Sequence, residues 1–346
     1  MKKNNLKLYT ANCCGEIGDV IIDGYDSPPG KTILEQSIFI HNDNKLRNFV
    51  LNEPRGGVFK HINLLVQPVD KSADIGFIIM EPEDTPPMSG SNSICVTTVL
   101  LEKGIIPIKD KKTTLTLEAP GGLIKAIAYC EKNKVKSVKI FNIDSFVHKL
   151  DHPLEVKGLG TLKVDVAFGG DTFVLIKGED LGISIKPENA KDIVNISSKI
   201  INASNEQIIF HHPLLPHLKH ISFCEITEPI YINNQNQKEA KNTVCIRPGK
   251  LDRSPCGTGT CARLAVMHSR GEIKKGEKFI SKSIIDSTFI SMIEDISKIS
   301  NINSIKTSIE GSAFITGKQE LYVDDRDPFP EGYRLSDTWP KLDKNG

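Results

Sequence analysis

Short apolar runs rich in β-branched residues recur along the chain and are separated by Gly, Pro, Asn and Asp. This pattern predicts β-strands. The predicted strands lie at 20–25, 32–40, 63–69, 74–80, 113–119, 121–130, 137–143, 161–168, 171–178, 220–227 and 242–249. The chain beyond the last of them is also strand-rich until about Tyr322.

Three segments are predicted to be helices. Residues 93–104 have helical length and end on Gly104, a residue type typical of helix C-termini. Residues 186–205 repeat Ile at helical spacing, and residues 257–271 form the third apolar segment. Because strands outnumber helices and do not alternate regularly with them, a doubly wound parallel sheet is not expected. The pattern predicts an α+β fold.

Two of the helix starts look like copies of each other. SGSNSI begins at Ser89 and CGTGTC begins at Cys256. Each places a nucleophilic side chain, then Gly90 or Gly257, then a small hydroxyl residue before an apolar helix. Counterpart residues keep one constant separation, close to half of the 346 residues. Two ordinary N-caps are the alternative, but the constant separation favours two related domains.

Such a pair of helix starts suits a carboxylate ligand. A helix N-terminus exposes unpaired N–H groups and carries about half a positive charge. Two such termini facing each other would hold one carboxylate and place Ser89 and Cys256 on opposite sides of the neighbouring α-carbon. One side could then remove a proton and the other supply one. The same field is expected to lower the pKa of Cys256 and favour its thiolate.

Two other motifs are weaker. Residues 257–262 fit G-x-G-x-x-A, but a dinucleotide fingerprint must follow a buried apolar strand, and here the preceding RPGKLDRSP is charged. His211, His212, His217 and His220 lie in a proline-containing run that offers no carboxylate or Cys to complete a metal site. Neither a nucleotide nor a metal is expected.

The composition is that of an ordinary folded protein of about two domains, 39% hydrophobic and 25% charged. A net charge of +1 gives no field for nucleic acid or an anionic membrane. No apolar run approaches the roughly 20 residues that span a bilayer, and Lys7, Asn12 and Glu16 interrupt any signal-peptide core. The eight cysteines, with Cys13 and Cys14 adjacent, do not form a disulfide or zinc pattern. A cytoplasmic protein is expected.

The chain resembles the proline racemase family over nearly its whole length. DRSPCGTGTCARLAVMHSRGEI resembles that family's second active-site motif, and MSGSNSICVTTVLL lies where its first motif is found. LNEPRGG, EAPGGL, FGGDTF and SAFITGKQELYVDDRDPF resemble it in the same order. The resemblance implies the diaminopimelate-epimerase-like fold, with two pseudo-symmetric domains, each a mostly antiparallel barrel-like sheet around a central helix. It implies a first domain of residues 1–150 plus 310–346 and a second of 151–309.

The resemblance also implies site residues and a cofactor-free reaction on an imino acid, and it is compatible with a homodimer. Classical members have Cys at both catalytic positions and a His two residues after the first. Here Ser89 and Ser91 stand at the first two of these positions, and Cys256 is retained. EPEDTPPMSGSNSICV and GYRLSDTWP are similar to the trans-3-hydroxy-L-proline dehydratase branch. The resemblance implies that Ser89 is the proton acceptor and that Asp252 contacts the ring nitrogen of the substrate. It implies that the substrate carboxylate is bound by Gly90, Ser91, Gly257 and Thr258.

Stereochemistry separates two reactions. In trans-3-hydroxy-L-proline the hydroxyl and the α-hydrogen share a ring face, so one residue can serve a syn elimination to Δ1-pyrroline-2-carboxylate. Epimerisation needs competent groups on both faces. Ser and Cys are unequal as bases, since no His lies near Ser89 in sequence. The expected activity is therefore the dehydratase, a hydro-lyase, and the alternative is a hydroxyproline 2-epimerase. Cys256 could itself be the base, with Ser89 only assisting.

Overall fold

Alternation of buried and exposed side chains accounts for most of the strands. In the strand Lys112–Ala119, for example, Thr113, Leu115 and Leu117 are buried and the residues between them are not. Successive side chains of a strand point to opposite faces of the sheet, so this pattern means that one face is buried and the other is not. The computed structural model describes residues 5–339. Residues 1–4, which belong to the basic opening, and 340–346, which end the predicted first domain, lie outside the described residues.

Strands outnumber α-helices in residues 5–339. The strands are β1 (Leu6–Cys13), β2 (Glu16–Ile17), β3 (Asp19–Asp23), β4 (Ile62–Val66), β5 (Ile75–Met80), β6 (Lys112–Ala119), β7 (Gly122–Glu131), β8 (Lys134–Phe141), β9 (Ser145–Val156), β10 (Gly160–Phe168), β11 (Thr172–Lys177), β12 (Phe223–Thr227), β13 (Tyr231–Ile232), β14 (Lys238–Ile246), β15 (Lys250–Leu251), β16 (Lys278–Lys282), β17 (Thr288–Ile299), β18 (Ile302–Gly311) and β19 (Ala313–Leu321). The α-helices are α1 (Ile33–Asp43), α2 (Lys45–Leu51), α3 (Gly90–Glu102), α4 (Ala190–Gln207) and α5 (Gly257–Ser269). None of these helices is both long and apolar enough to cross a membrane.

The chain folds into two compact units that repeat one topology. Residues 5–140 and 310–339 form the first unit, and residues 141–309 form the second. In the first, strands pair in the order β19-β1-β3-β4-β5-β6-β7, with β3/β4 and β5/β6 parallel and the others antiparallel. In the second, the order β9-β10-β11-β12-β14-β16-β17 has its parallel pairs, β11/β12 and β14/β16, at the same two places.

Helices occupy equivalent crossovers in the two units, as parallel strand pairs require. Helix α3 connects β5 to β6, and α5 connects β14 to β16. Every residue from Gly90 to Leu101 of α3 is buried, and the helix contacts β1, β3, β4, β7 and β19. Every residue of α5 up to Met267 is buried, and it contacts β9, β10, β11 and β17. Each unit therefore has one helix enclosed by its own sheet, and the two segments that look like copies are the starts of these helices.

One segment predicted as a strand is a helix. The β-branched run at 32–40 predicts an extended segment, but α1 covers most of it. Thr32 caps the helix by accepting from the Glu35 amide at 3.1 Å, and the Glu35 carboxylate accepts from the Lys31 amide at 2.6 Å. These side chains satisfy amides that a helix start leaves unpaired. The capping residues therefore outweigh the β-branched content of TILEQSIFI.

Candidate active site

Ser89 begins the central helix of the first unit. Pro86 and Pro87 lie just before Ser89. Because proline has no backbone N–H to donate, they disfavour an extension of the helix toward the N-terminus. Ser89 has an extended backbone, φ −145° and ψ 125°, and its Oγ accepts from the Asn92 amide at 3.5 Å. Its side chain is partly buried. Gly90 and Ser91 are the first two residues of α3, whose N–H groups have no partner within the helix.

An amide network holds donors on the Ser89 hydroxyl oxygen. The Asn92 side-chain amide donates to Ser89 Oγ at 2.9 Å, and its own oxygen accepts from Asn63 Nδ2 at 2.8 Å. Asn63 Nδ2 also donates to the Asp19 carbonyl at 3.0 Å, which fixes the orientation of both amides. Asn92 and Asn63 are fully buried. Two N–H groups therefore point at Ser89 Oγ, where they stabilise negative charge on that oxygen.

Cys256 begins the central helix of the second unit in a constrained conformation. Its φ is +58°, which is uncommon for a residue with a Cβ and is found at functional sites. Its amide donates to Ser254 Oγ at 3.1 Å, and Ser254 in turn donates its amide to Asp252 Oδ1 at 2.8 Å. The Cys256 Sγ accepts from the Gly259 amide at 3.4 Å. Thus Ser89 and Cys256 each cap the third residue of their own helix.

The second helix start is packed too tightly for side chains at two glycines. A Cβ on Gly169, in the turn after β10, would lie 2.2 Å from the Thr258 carbonyl oxygen and 2.3 Å from the Ala262 amide nitrogen. A Cβ on Gly259 would lie 3.0 Å from Glu225 Oε2 and 3.2 Å from Cys256 Sγ. The first glycine lets the sheet approach the first turn of α5, and the second makes room for a carboxyl group beside it.

The electrostatic surroundings of Cys256 correct the expectation of a thiolate. Burial raises the pKa of Cys256 well above its usual range, and the charges of Asp252 and Glu225 raise it further. The Gly259 amide and Thr258 act in the opposite direction but are weaker. In this state Cys256 is a protonated thiol. The helix N-terminus is one contribution among several, and burial outweighs it.

The second unit brings together every site residue predicted for it. Asp252, Cys256, Gly257 and Thr258 lie within seven positions of the chain, and all are buried. Thr258 Oγ1 lies 3.8 Å from Cys256 Sγ. In the first unit, Ser89 and Ser91 approach each other, with their hydroxyl oxygens 3.5 Å apart.

The histidine run has structural roles. His212 Nδ1 accepts from the Leu214 and Leu215 amides at 3.1 and 3.0 Å, and its ring packs edge-on against Phe168 at 4.4 Å. Burial lowers the pKa of His212 to about 4, so the ring is neutral. His220 lies 3.1 Å from an Arg247 guanidinium nitrogen. Nowhere in residues 5–339 do three or more His, Cys, Asp or Glu side chains converge as metal ligands would.

Sequence reasoning missed three residues of these helix starts: Asn63, Asn92 and Glu225. Asn63 and Glu225 each interrupt an apolar strand, in HINLLV and HISFCEIT, where the neighbouring residues are buried. A lone polar residue in a buried strand must meet a partner or serve a function, because burying it without one is costly. That is the pattern by which they could have been found.

Comparison with known proteins identifies the family of the chain. The proline racemase family matches residues 9–334. The chain belongs to this family. A hydroxyproline epimerase from Agrobacterium vitis, solved with bound trans-4-hydroxy-L-proline, is 35% identical with a TM-score of 0.92, and the match covers 97% of this chain and 96% of that one. A probable proline racemase from Agrobacterium radiobacter K84, solved with bound carbonate, is 34% identical with a TM-score of 0.92, over 97% and 98% of the two chains.

More distant structures share the fold alone. A PhzF-family phenazine biosynthesis protein from Bacillus anthracis is 12% identical, with a TM-score of 0.56 over 93% of this chain and 100% of that one. These likenesses and the two repeated units confirm the predicted α+β fold of the diaminopimelate-epimerase type. The chain is an enzyme of the proline racemase family. Its placement in the dehydratase branch stays a prediction.

Glu225 should make the stability of the protein depend on pH. Burial raises the pKa of its carboxyl from 4.5 to about 7, against the opposing charge of Arg263. A carboxyl whose pKa is raised on folding binds protons more tightly when folded, so it costs stability as the pH rises through this range. We expect the difference in free energy of unfolding between Glu225→Met and the wild type to grow by about 3 kcal/mol, in favour of the variant, from about pH 4 to pH 7.5. Above that range the difference should stay constant. Urea unfolding across this range measures the difference.

Glu239 is a control with the opposite sign in the same unit. Burial disfavours the Glu239 carboxylate, but hydrogen bonds from Lys282, Tyr231 and Asn233 outweigh it and lower its pKa to about 2. The stability of Glu239→Gln relative to the wild type should therefore fall as the pH rises from acid. A pH-independent difference between Glu225→Met and the wild type would show that Glu225 does not titrate at the raised pKa in the folded protein.

Proposed function

We propose that the protein is a cofactor-independent hydroxyproline 2-epimerase in which Ser89 and Cys256 act on opposite faces of one α-carbon. The observation that supports this most is the matched construction of the two helix starts. Ser89 Oγ and Cys256 Sγ each accept from the third amide of the helix, at 3.5 and 3.4 Å. A reaction on both faces needs a competent group on each. The relative with bound trans-4-hydroxy-L-proline supports the same substrate class.

The substrate carboxylate would be bound by backbone amides. The first-turn N–H groups of Gly90, Ser91, Gly257 and Thr258 are those that a helix leaves unpaired. Loss of the α-proton delocalises negative charge into the carboxylate, so oriented amides and helix dipoles stabilise the deprotonated intermediate more than the substrate. Asp252 would pair with the ring nitrogen as a charged acceptor.

The protonation states assign the two roles. Cys256 is held as a thiol, which makes it the proton donor to one face. Ser89 would take the α-proton on the other face after its own hydroxyl proton has passed to solvent, and the Asn92 N–H groups would stabilise the resulting oxyanion. The reaction then leaves a Ser89 hydroxyl and a Cys256 thiolate, and the total number of protons is unchanged. The reverse reaction, from the other epimer, starts from this state, and a second forward turnover requires Cys256 to gain a proton from solvent and Ser89 to lose one to it.

Dehydration of trans-3-hydroxy-L-proline is the second candidate, and the asymmetry of the two helix starts favours it. Within residues 5–339, the hydrogen-bond partners of Ser89 Oγ are amide and hydroxyl groups, whereas the charges of two carboxyl groups act on Cys256. Syn elimination uses one face. The α-proton and the 3-hydroxyl leave as water, and the resulting enamine tautomerises to Δ1-pyrroline-2-carboxylate.

One pair of incubations distinguishes these reactions. With trans-4-hydroxy-L-proline we expect a change in optical rotation and incorporation of deuterium at the α-carbon in deuterated water. With trans-3-hydroxy-L-proline a dehydratase forms a pyrroline, which reacts with 2-aminobenzaldehyde to give a coloured product. Pyrroline formation without any epimerisation would replace the first proposal by the second. Binding of both compounds without exchange would contradict both and indicate a non-catalytic amino-acid-binding protein.

A further inference from the structure

Glu225 is a buried carboxyl group to which the reaction assigns no role. It lies on β12, its exposed fraction is 0%, and both of its carboxyl oxygens are buried without a hydrogen-bond partner among the described residues. Unsatisfied buried carboxyl groups are costly and rare in folded proteins. Its retention in the core therefore calls for a reason other than stability.

The carboxyl group points at the start of α5. Its Oε2 lies 3.0 Å from the position that a Gly259 Cβ would occupy, and Cys256 Sγ lies 3.2 Å from the same position. The carboxyl and the thiol therefore both lie beside Gly259, which, like Gly257, has no side chain. Gly259 also donates its amide to the thiol sulfur. A charge on Glu225 acts on Cys256 over a short distance, and both side chains are buried.

The equivalent place in the first unit is filled differently. Asn92 occupies the third position of α3, and Gly259 occupies the third position of α5. Asn63 on β4 contacts Asn92, and Glu225 on β12 lies next to Gly259. The asparagines deliver N–H donors to Ser89 Oγ. Glu225 delivers none to Cys256. The two repeated units thus surround their two reactive atoms with opposite electrostatics.

Among the described residues, Arg263 compensates the charge of Glu225 only in part. The Arg263 guanidinium of α5 is the positive group that acts on it, but its hydrogen bonds go to the Glu228 and Lys241 carbonyl oxygens at 2.7 and 3.3 Å. The charge of Glu225 raises the pKa of three thiols, those of Cys224, Cys256 and Cys261. Asp252 is the second negative group that acts on Cys256.

We propose that Glu225 is a positioning residue that adjusts the protonation state of Cys256: the ionised carboxylate adds to burial and to Asp252 in keeping the thiol protonated. Two groups that interact this closely titrate as a pair. Cys256 is then a proton donor while Glu225 is ionised, and the thiolate that remains after donation is favoured once Glu225 is protonated. The catalytic meaning rests on the proposed function, but the coupling itself can be measured without a substrate.

The test is the pH profile of Cys256 alkylation by iodoacetamide, followed on the Cys256 peptide by mass spectrometry. Glu225→Met removes the charge without leaving a buried polar atom, so it should fold at least as well as the wild type. We expect its alkylation midpoint to move down by at least about one pH unit, because a single charge at this range is worth more than about 1.4 kcal/mol in a dry interior. Glu225→Gln should behave alike, and Glu225→Asp should retain most of the wild-type midpoint.

Glu239→Gln is the matched control, since Glu239 is a carboxylate of the same unit that pairs with Lys282. Its alkylation midpoint should equal that of the wild type. Unchanged midpoints in folded Glu225→Met and Glu225→Gln would overturn the coupling. A shifted midpoint in a protein that turns over no hydroxyproline would keep the coupling and remove the proposed function, whereas turnover with an unshifted midpoint would do the reverse.

Discussion

Ser89→Ala and Cys256→Ala should each lose epimerisation of trans-4-hydroxy-L-proline by about 10²–10⁴-fold, the range for removing a positioned acid or base. The two variants should differ in what remains. If Ser89 faces the α-hydrogen of the L-isomer, Cys256→Ala still exchanges that hydrogen with deuterated water and still dehydrates trans-3-hydroxy-L-proline. Ser89→Ala should lose both. Proton NMR in deuterated water follows exchange, and polarimetry follows epimerisation.

Binding provides the control for this comparison. Pyrrole-2-carboxylate is planar at the α-carbon, as the deprotonated intermediate is, and its carboxylate would be bound by backbone amides that neither substitution removes. Both variants should therefore bind it with wild-type affinity. If Ser89→Ala keeps exchange and dehydration while Cys256→Ala loses them, the roles of the two residues are exchanged. Loss of pyrrole-2-carboxylate binding would instead indicate a damaged helix start.

The two candidate helix starts could be found in the sequence because their pattern is local. A small residue after a nucleophile at a helix start is encoded in consecutive positions, so SGSNSI and CGTGTC could be recognised as equivalent. The fold class followed from the strand pattern for the same reason. The strand predicted at 32–40 was wrong because a β-branched run is compatible with a strand or a helix. The Thr32 and Glu35 side chains favour the helix through two hydrogen bonds.

The surroundings of the reactive atoms could not be predicted, since they come from distant parts of the chain. Asn63 reaches Asn92 from 29 residues away, and Glu225 lies on a strand that precedes Cys256 by a long connection. The thiolate expected at Cys256 was wrong for this reason. The helix N-terminus is local and was visible, whereas the burial and the carboxyl groups that raise the pKa are not.

Gly169→Ala should strongly destabilise the second unit. The new Cβ would stand 2.2 Å from the Thr258 carbonyl oxygen and 2.3 Å from the Ala262 amide nitrogen. Both are backbone atoms of an enclosed helix, so no side chain can rotate to relieve the contact. Because β10 and α5 must separate, we expect a loss of several kcal/mol in free energy of unfolding. This loss is at or above the upper end of the range for substitutions that overpack a core. Urea unfolding and circular dichroism measure this loss.

Gly271→Ala is the matched substitution at the other end of the same helix. Gly271 has φ +73°, but no atom beyond its chain neighbours and its own helix lies within 4 Å of its Cβ position. Alanine there should cost only the backbone preference, about 1–2 kcal/mol. If Gly169 acts by placing the first turn of α5, Gly169→Ala should also lose pyrrole-2-carboxylate binding in the fraction that stays folded, while Gly271→Ala keeps it. Equal losses of stability in the two variants would mean that the sheet yields at Gly169, and the close approach of β10 would then not be what holds Cys256 in place.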